Sequence, residues 1–596
     1  MSLAFQGGKS MRHVPILEEN DDVDLPALFH PRSSSMRFIG PWGNFVSYQV
    51  NVDDQEQNIV GDAANEPSLC VDPTNPNRIA VGWRQFDSVT SNFRQGGYGY
   101  SADGGLTWHF PGVLESGVFR SDPVLVSRYD GKFFYLSLLE TFYDTMYGSL
   151  DGGGSWGQIA PADGGDKQWF TVDNSNSVGR GNLYQSWSTA GNNYNGRQFT
   201  RSTDGGSTWM TPVNIPQSPV WGTLDVDNAG TLYLGGWGRN GFVVCRSTNA
   251  KNASTTPSFG LNTVINLGGS IDSGSFVNPG GLTGQMWVAV DHSSAASPQP
   301  VYALCSVAVD SNNPGDVMLA RSVDGNVSWS TPVRVNDDPL NAGNYHWFGT
   351  LAVGPTGRLD VVWNDTRDDP SHNTSALYYA YSLDGGQHFS TNIRVSQSWN
   401  QSIGYPDQNK MGDYIGVVSN SVGANIAYTA TFNNEEDIYF LQIPSPVVVA
   451  PSSFSIAGAP YAGSVNSLAA VDGGYLTTKA HGSASLSPTV LTVQATSPSF
   501  NPKAVYFNLV SHGDLVNLPI HIAFYNWQTS SYETLKNAAT TTSDSWVNLA
   551  ASGDLTRFVQ GGTGTMRARV TFDRGPNFLT DVSNCYIDQA AWNVIP

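Results

Sequence analysis

Side chains able to do acid–base or ionic chemistry recur in this 596-residue chain where strand-like apolar runs begin. Glu66 stands at the head of Pro67-Ser-Leu-Cys-Val71, Asp122 at the head of Pro123-Val-Leu-Val126, and Lys167 just before Trp169-Phe-Thr-Val172. Later runs open with Trp287, with His346-Trp347 and with Asp413-Tyr414, while the ends of the runs that follow supply Arg84, Asp365 and Arg367. Cleaving a glycosidic bond takes one carboxylic acid and a second carboxylate or other nucleophile, and Glu66, Asp122, Asp365 and Asp413 form that pool. Eliminating across a uronate instead takes a base and a cation, for which Tyr414, His346 and Arg367 are the nominees. Arg84, Arg367 and Lys167 could hold an anionic group or lower a neighbouring carboxylate pKa. Trp169, Trp287 and Trp347 offer flat faces to sugar C–H surfaces. The same acids could instead bond neighbouring backbone or hold a structural calcium ion; no other cofactor is implied.

Residues so far apart in number meet only if the elements carrying them are arranged around a common centre. The repeat that builds those elements begins with Tyr100-Ser-Ala-Asp103-Gly-Gly-Leu-Thr-Trp108. It returns around Asp151, Asp204, Asp324 and Asp384, with a worn copy at Arg246-Ser-Thr-Asn-Ala250. The copies lie about 45 to 75 residues apart, the spacing of stacked β units. Asp and Gly in a tight run make a hairpin turn, because the carboxylate accepts from nearby N–H groups and Gly takes positive φ cheaply. The aromatic residue pins the turn onto its own unit. The five aspartates are therefore read as structural.

The motif resembles the Asp-box repeat of the sialidase-like β-propellers over roughly residues 45 to 445. The resemblance implies an all-β fold in which each box joins the third and fourth strands of a blade, away from the catalytic mouth. Six full units and a partial seventh follow one another. Phe45-Val-Ser-Tyr-Gln-Val-Asn-Val52 stands alone upstream with alternating faces. A seven-bladed propeller sealed by that N-terminal strand is expected, since closure removes an unpaired edge; six blades, the sialidase number, is the competitor. Sialidases place an arginine in an Arg-Ile-Pro motif on the first blade's opening strand, whereas this chain reads Asn65-Glu66-Pro67-Ser68. Tyr414 is the nominee, by location, for the family's tyrosine nucleophile. The resemblance implies a carbohydrate-active enzyme, hydrolase or lyase, acting at the propeller mouth. A glycan-binding or scaffold propeller without catalysis is the alternative.

Three segments are expected: an irregular arm over 1–40, the propeller over 41–446, and a jelly-roll-like β-sandwich over 447–596. The last boundary is marked by Pro444-Ser-Pro446 and the end of the Asp boxes. In the sandwich, Trp527 could serve as a sugar platform or as a core or edge residue. The chain carries 30 basic against 50 acidic residues, a net charge of −20. That balance argues against a nucleic-acid partner and leaves a glycan or polysaccharide as the expected one. No apolar run is long enough to span a bilayer. Four scattered cysteines show no metal-ligand spacing, and Cys70, Cys245 and Cys305, within apolar strand-like runs, read as buried thiols. The opening residues do not form a signal peptide, although a secreted or cell-surface location suits a glycan-acting protein.

Overall fold

Asp103 shows why the repeated motif folds as it does. One carboxylate oxygen accepts from the Ser101 hydroxyl and from the N–H groups of Leu106 and Thr107, and the other accepts from the Thr107 hydroxyl. The Trp108 indole N–H closes the turn on the Gly105 carbonyl at 3.0 Å. Asp151 and Asp204 are bonded alike, and Asp384 repeats the serine bond. At Asp324 the glycine is replaced by Asn326, which takes φ +75° and receives the Trp329 indole on its own amide oxygen. Hydroxyl and backbone bonds from Ser328 hold the Asp324 carboxyl down at about 2. The worn copy keeps the device without the charge, Ser247 donating to Asn249 Oδ1.

The computed structural model describes residues 33–188, 194–480, 487–573 and 583–596. The chain is all-β: strands make up nearly all its regular structure, and the helical turns among the described residues are the short 3₁₀ segments Val465–Leu468 and Leu555–Phe558. It divides into two units. Among the described residues, the first holds 33–41, Val46–Gln387 and Arg394–Gln442; the second holds Ile443–Pro596 together with the short pieces Trp42–Phe45 and His388–Ile393. Of the expected N-terminal arm, residues 1–32, including the acidic run at 18–24, lie outside the described residues. Ser33–Met36 is not irregular but a strand paired antiparallel with Gln57–Val60.

In the first unit, each repeat is an antiparallel sheet. The opening strands are Ala63–Val71, Ser121–Ser127, Trp169–Val172, Leu224–Val226, Trp287–Val290, His346–Val353 and Gly416–Ser419. Each packs against the opening strands before and after it, and Gly416–Ser419 packs back against Ala63–Val71. This is a β-propeller arrangement. The last sheet, Gly416–Ser419, Gly423–Ala430 and Asp437–Pro444, is extended by Phe45–Gln49, with Tyr48 opposite Phe440 and Gln49 opposite Tyr439. Apolar side chains fill the space between successive sheets; Val124, Phe134, Phe170, Leu183, Leu224 and Leu232 form one such layer.

The second unit is a sandwich of two sheets. One runs in the order Ser453–Ala457, Thr489–Thr496, Thr565–Phe572, Pro519–Asn526 and Ser531–Ala539; the other centres on Ser583–Ile595 and Ala504–Gly513. Alternate residues of both meet in a common core that includes Leu491, Ile522, Val570, Phe507 and Trp592. Cys70, Cys245, Cys305 and Cys585 are buried free thiols. No described helix is long and apolar enough to cross a membrane.

Candidate functional site

The opening strands share a backbone irregularity that sequence patterning does not reveal. Glu66, Asp122, Lys167, Trp221 and Phe348 take φ values of +53°, +47°, +54°, +55° and +57°. The pairing register breaks at these places, between Asn65 and Ser68 and between Trp347 and Thr350. An extra residue in a strand leaves the ladder, bends it and re-aims the side chain. Non-glycine residues in this region cost of order 1–3 kcal/mol each and persist only when the surroundings hold them.

Glu66, Asp122 and Lys167 are held by an ionic cluster. Lys167 Nζ lies 2.5 Å from Asp413 Oδ2 and 3.7 Å from Asp122 Oδ2. Lys410 Nζ lies 2.9 Å from the same Asp413 oxygen and 3.7 Å from Glu66 Oε1. Arg84 Nε is 3.2 Å from Glu66 Oε2 and donates to Asn65 Oδ1 at 2.8 Å. The other Asp413 oxygen accepts from Leu282 N–H. Burial pushes the Glu66 carboxyl up to about 7, against the pull of Arg84 and Lys167. Asp413, although equally desolvated, is held well below the usual carboxylate range by Lys167 and Lys410.

Beside this cluster the aromatic side chains pack on one another. Trp169 meets Trp287 and Tyr414 edge-to-face, each at 5.2 Å, and the Tyr414 hydroxyl donates to the Pro123 carbonyl. Burial drives its pKa well above the phenol range.

Glu66, Asp122, Asp413, Tyr414, Arg84, Lys167, Trp169 and Trp287 are thus brought together, as their positions at strand ends suggest. They do not line an open mouth. Glu66 and Arg84 are 0% exposed, Asp122 1% and Tyr414 3%. The other nominees, His346, Asp365 and Arg367, form a second buried cluster. His346 Nε2 lies 3.0 Å from Asp338 Oδ1 and 3.6 Å from Asp365 Oδ2, while Arg367 binds Asp365 at 2.8 Å and Asp337 at 2.7 Å. Burial opposes charge on His346, but Asp365 and Asp338 outweigh it and raise its pKa. Trp347 is buried and donates to the Ser375 hydroxyl. Among the described residues, no group of three or more His, Cys, Asp or Glu side chains is disposed to hold a metal ion.

An accessible feature among the described residues is a cleft beside the second sheet of the propeller. Its volume is about 520 Å³, and Arg120, Tyr143, Asp144, Asp163, Gln158 and Trp209 are among its lining residues. Arg120 is engaged by Glu115 and the Thr145 hydroxyl. Tyr143 is 47% exposed and meets Tyr194 edge-to-face. Tyr194 in turn donates to Asp163 Oδ1 at 3.3 Å. Asp144 Oδ2 accepts from Gln185, and its buried Oδ1 has no hydrogen-bond partner among the described residues. Burial and then the Asp122 charge push the Asp144 carboxyl well above its ordinary value. Burial raises Asp163 as well, against the Tyr194 bond. Strand patterning does not single out this cleft, because Asp144 opens a third strand, whereas the centre is met by first-strand openings and second-strand exits.

No protein-family model matches the chain, and no curated protein sequence does. Solved structures do resemble it. A protein of unknown function from Dyadobacter fermentans is 13% identical, with a TM-score of 0.37, over 66% of this chain and 97% of that one. A lectin from Burkholderia pseudomallei is 9% identical, with a TM-score of 0.40, over 61% and 98%. Trypanosoma rangeli sialidase is 11% identical, with a TM-score of 0.34, over 95% and 96%. At such identities and scores the likeness says nothing of what this chain binds or does.

Proposed function

We propose that this protein is a glycan-binding, seven-bladed β-propeller followed by a β-sandwich, and that the sugar sits in the Tyr143–Asp163 cleft. The seven-bladed reading draws support from the cyclic packing of the opening strands, and closure by the N-terminal strand from the pairing of Tyr48 with Phe440. The observation that carries the functional reading is the lining of the cleft. An exposed tyrosine and a half-buried tryptophan stand beside two carboxyls and a glutamine in a cavity of about 520 Å³. Aromatic surface with a few convergent polar groups suits a sugar ring. The buried ion cluster then acts as a brace, since side chains without solvent contact cannot meet a substrate. A sialic acid fits poorly, because Arg84 and Arg367 are already engaged by carboxylates.

A second reading, cleavage of a glycosidic bond, is favoured by one observation. Burial pushes both cleft carboxyls upward, the direction that favours a general acid for a leaving oxygen, and of the two Asp163 reaches solvent. A glycan array followed by reducing-end and unsaturated-uronate assays separates the readings. Binding without product is expected, weakened about tenfold or more in Tyr143→Ala and Asp163→Asn. Product that disappears in Asp163→Asn would move the protein to the second reading. Unchanged binding in both folded variants would remove the cleft from either.

A further inference from the structure

The outward face of one sandwich sheet carries two arginines whose setting differs from that of the protein's ion-paired guanidiniums. Along Thr565–Phe572, Met566, Ala568, Val570 and Phe572 point into the core, so Arg567 and Arg569 point out. The Arg567 guanidinium lies 4.9 Å from the Tyr525 ring centre and 5.0 Å from that of Trp527; Arg569 lies 3.7 Å from that of Tyr532. The rings brace one another edge-to-face, Tyr525 against Trp527 at 4.8 Å and against Tyr532 at 5.1 Å.

Neither arginine has a carboxylate partner among the described residues, and both Nε atoms are buried there without a hydrogen-bond partner. Glu533, next to Tyr532 in the chain, pairs with the core residue Phe524 and is taken by Arg557 and Asn526. Across the strand pair, Arg567 stands opposite Gln494 and Arg569 opposite Thr492, so the neighbours are neutral hydrogen-bonding groups. In a chain of net charge −20, two adjacent cations without counter-ions form a local exception.

We infer that this face binds an anionic polysaccharide, through carboxylate or sulfate groups held by Arg567 and Arg569. With Nε buried, each guanidinium has its two Nη groups left for a planar anion, and stacking on an aromatic face fixes their direction in advance. The rings are covered by the arginines, so they orient the cations rather than stack on sugar. Two cations suit the spaced charges of an acidic glycan. Nucleic acid presents contiguous phosphates and is held by many more basic contacts. The inference extends the carbohydrate reading but rests on a different surface, so each can fail alone.

The test is retention of the full-length protein in native gels containing polygalacturonate, dextran sulfate, neutral dextran or single-stranded DNA. Retardation by polygalacturonate or dextran sulfate and not by neutral dextran is expected, and the stronger of the two identifies the anion. Arg567→Gln/Arg569→Gln should lose retardation about tenfold or more, and Arg567→Lys/Arg569→Lys should recover only part of it, since a lysine keeps charge without the fork. Asp163→Asn should be retarded like the wild type. No retardation of the wild type, equal retardation of a folded double-glutamine variant, or stronger retardation by DNA would each overturn the proposal.

Discussion

Glu66 and Asp413 draw on the same two lysines, and they draw unequally. Lys410 is 2.9 Å from Asp413 but 3.7 Å from Glu66, and Lys167 is closest to Asp413. Asp413 therefore keeps its charge while Glu66, beside Arg84 and out of water, holds a proton up to about 7. The sign of the consequence follows from proton counting. Between the ordinary value of 4.5 and about 7, the folded state keeps a proton that the unfolded chain has released. Stability then falls as pH rises through that window and levels off above it. In Glu66→Gln this contribution disappears. Urea unfolding of wild type and variant from pH 4.5 to 8 should show their stability difference changing in the variant's favour, by on the order of 3 kcal/mol at most. A pH-independent difference would mean that Glu66 is ionised in the fold throughout.

At the scale of the element, the repeated bulge decides what the site is. In the last sheet the corresponding strained position is Gly412, at φ +89°, and a Cβ there would stand 2.5 Å from Glu66 Cγ. Gly412→Ala thus combines left-handed strain with a clash into the ion cluster. A loss of about 2–4 kcal/mol is expected in chemical denaturation, and a loss below about 1 kcal/mol would show that the opening strands yield at this point rather than being tightly held. These bulges bear on what the residues disclosed in advance. The Asp boxes were legible because a hairpin turn is local chemistry: Ser101, Asp103 and Thr107 bond within a few residues of one another. The convergence of Glu66, Asp122, Lys167 and Asp413 was legible too, since it follows from where strand-like runs begin. Their burial was not, because it depends on Trp169, Trp287 and Tyr414 packing together from separate sheets. The placing of His346, Asp365 and Arg367 in a separate cluster with Asp337 and Asp338 depends likewise on loops whose course no periodicity records.

At the scale of the whole molecule, the two proposed surfaces ask different things of a glycan. The cleft, lined by carboxyls, favours a neutral sugar unit; the Arg567–Arg569 face favours an acidic one. A polymer with charge on only part of its units satisfies both, whereas a fully neutral or uniformly charged polymer satisfies one. The overall charge of −20 makes that selectivity depend on local arrangement and weakens general attraction to polyanions. The most direct measurement is the position of an oligosaccharide in crystals of the full-length protein soaked with the best array ligand. A sugar ring in contact with Tyr143, with a hydroxyl bonded to Asp163, is the predicted result. A sugar bound over the opened centre against Glu66 and Asp413, with the cleft empty, would contradict it.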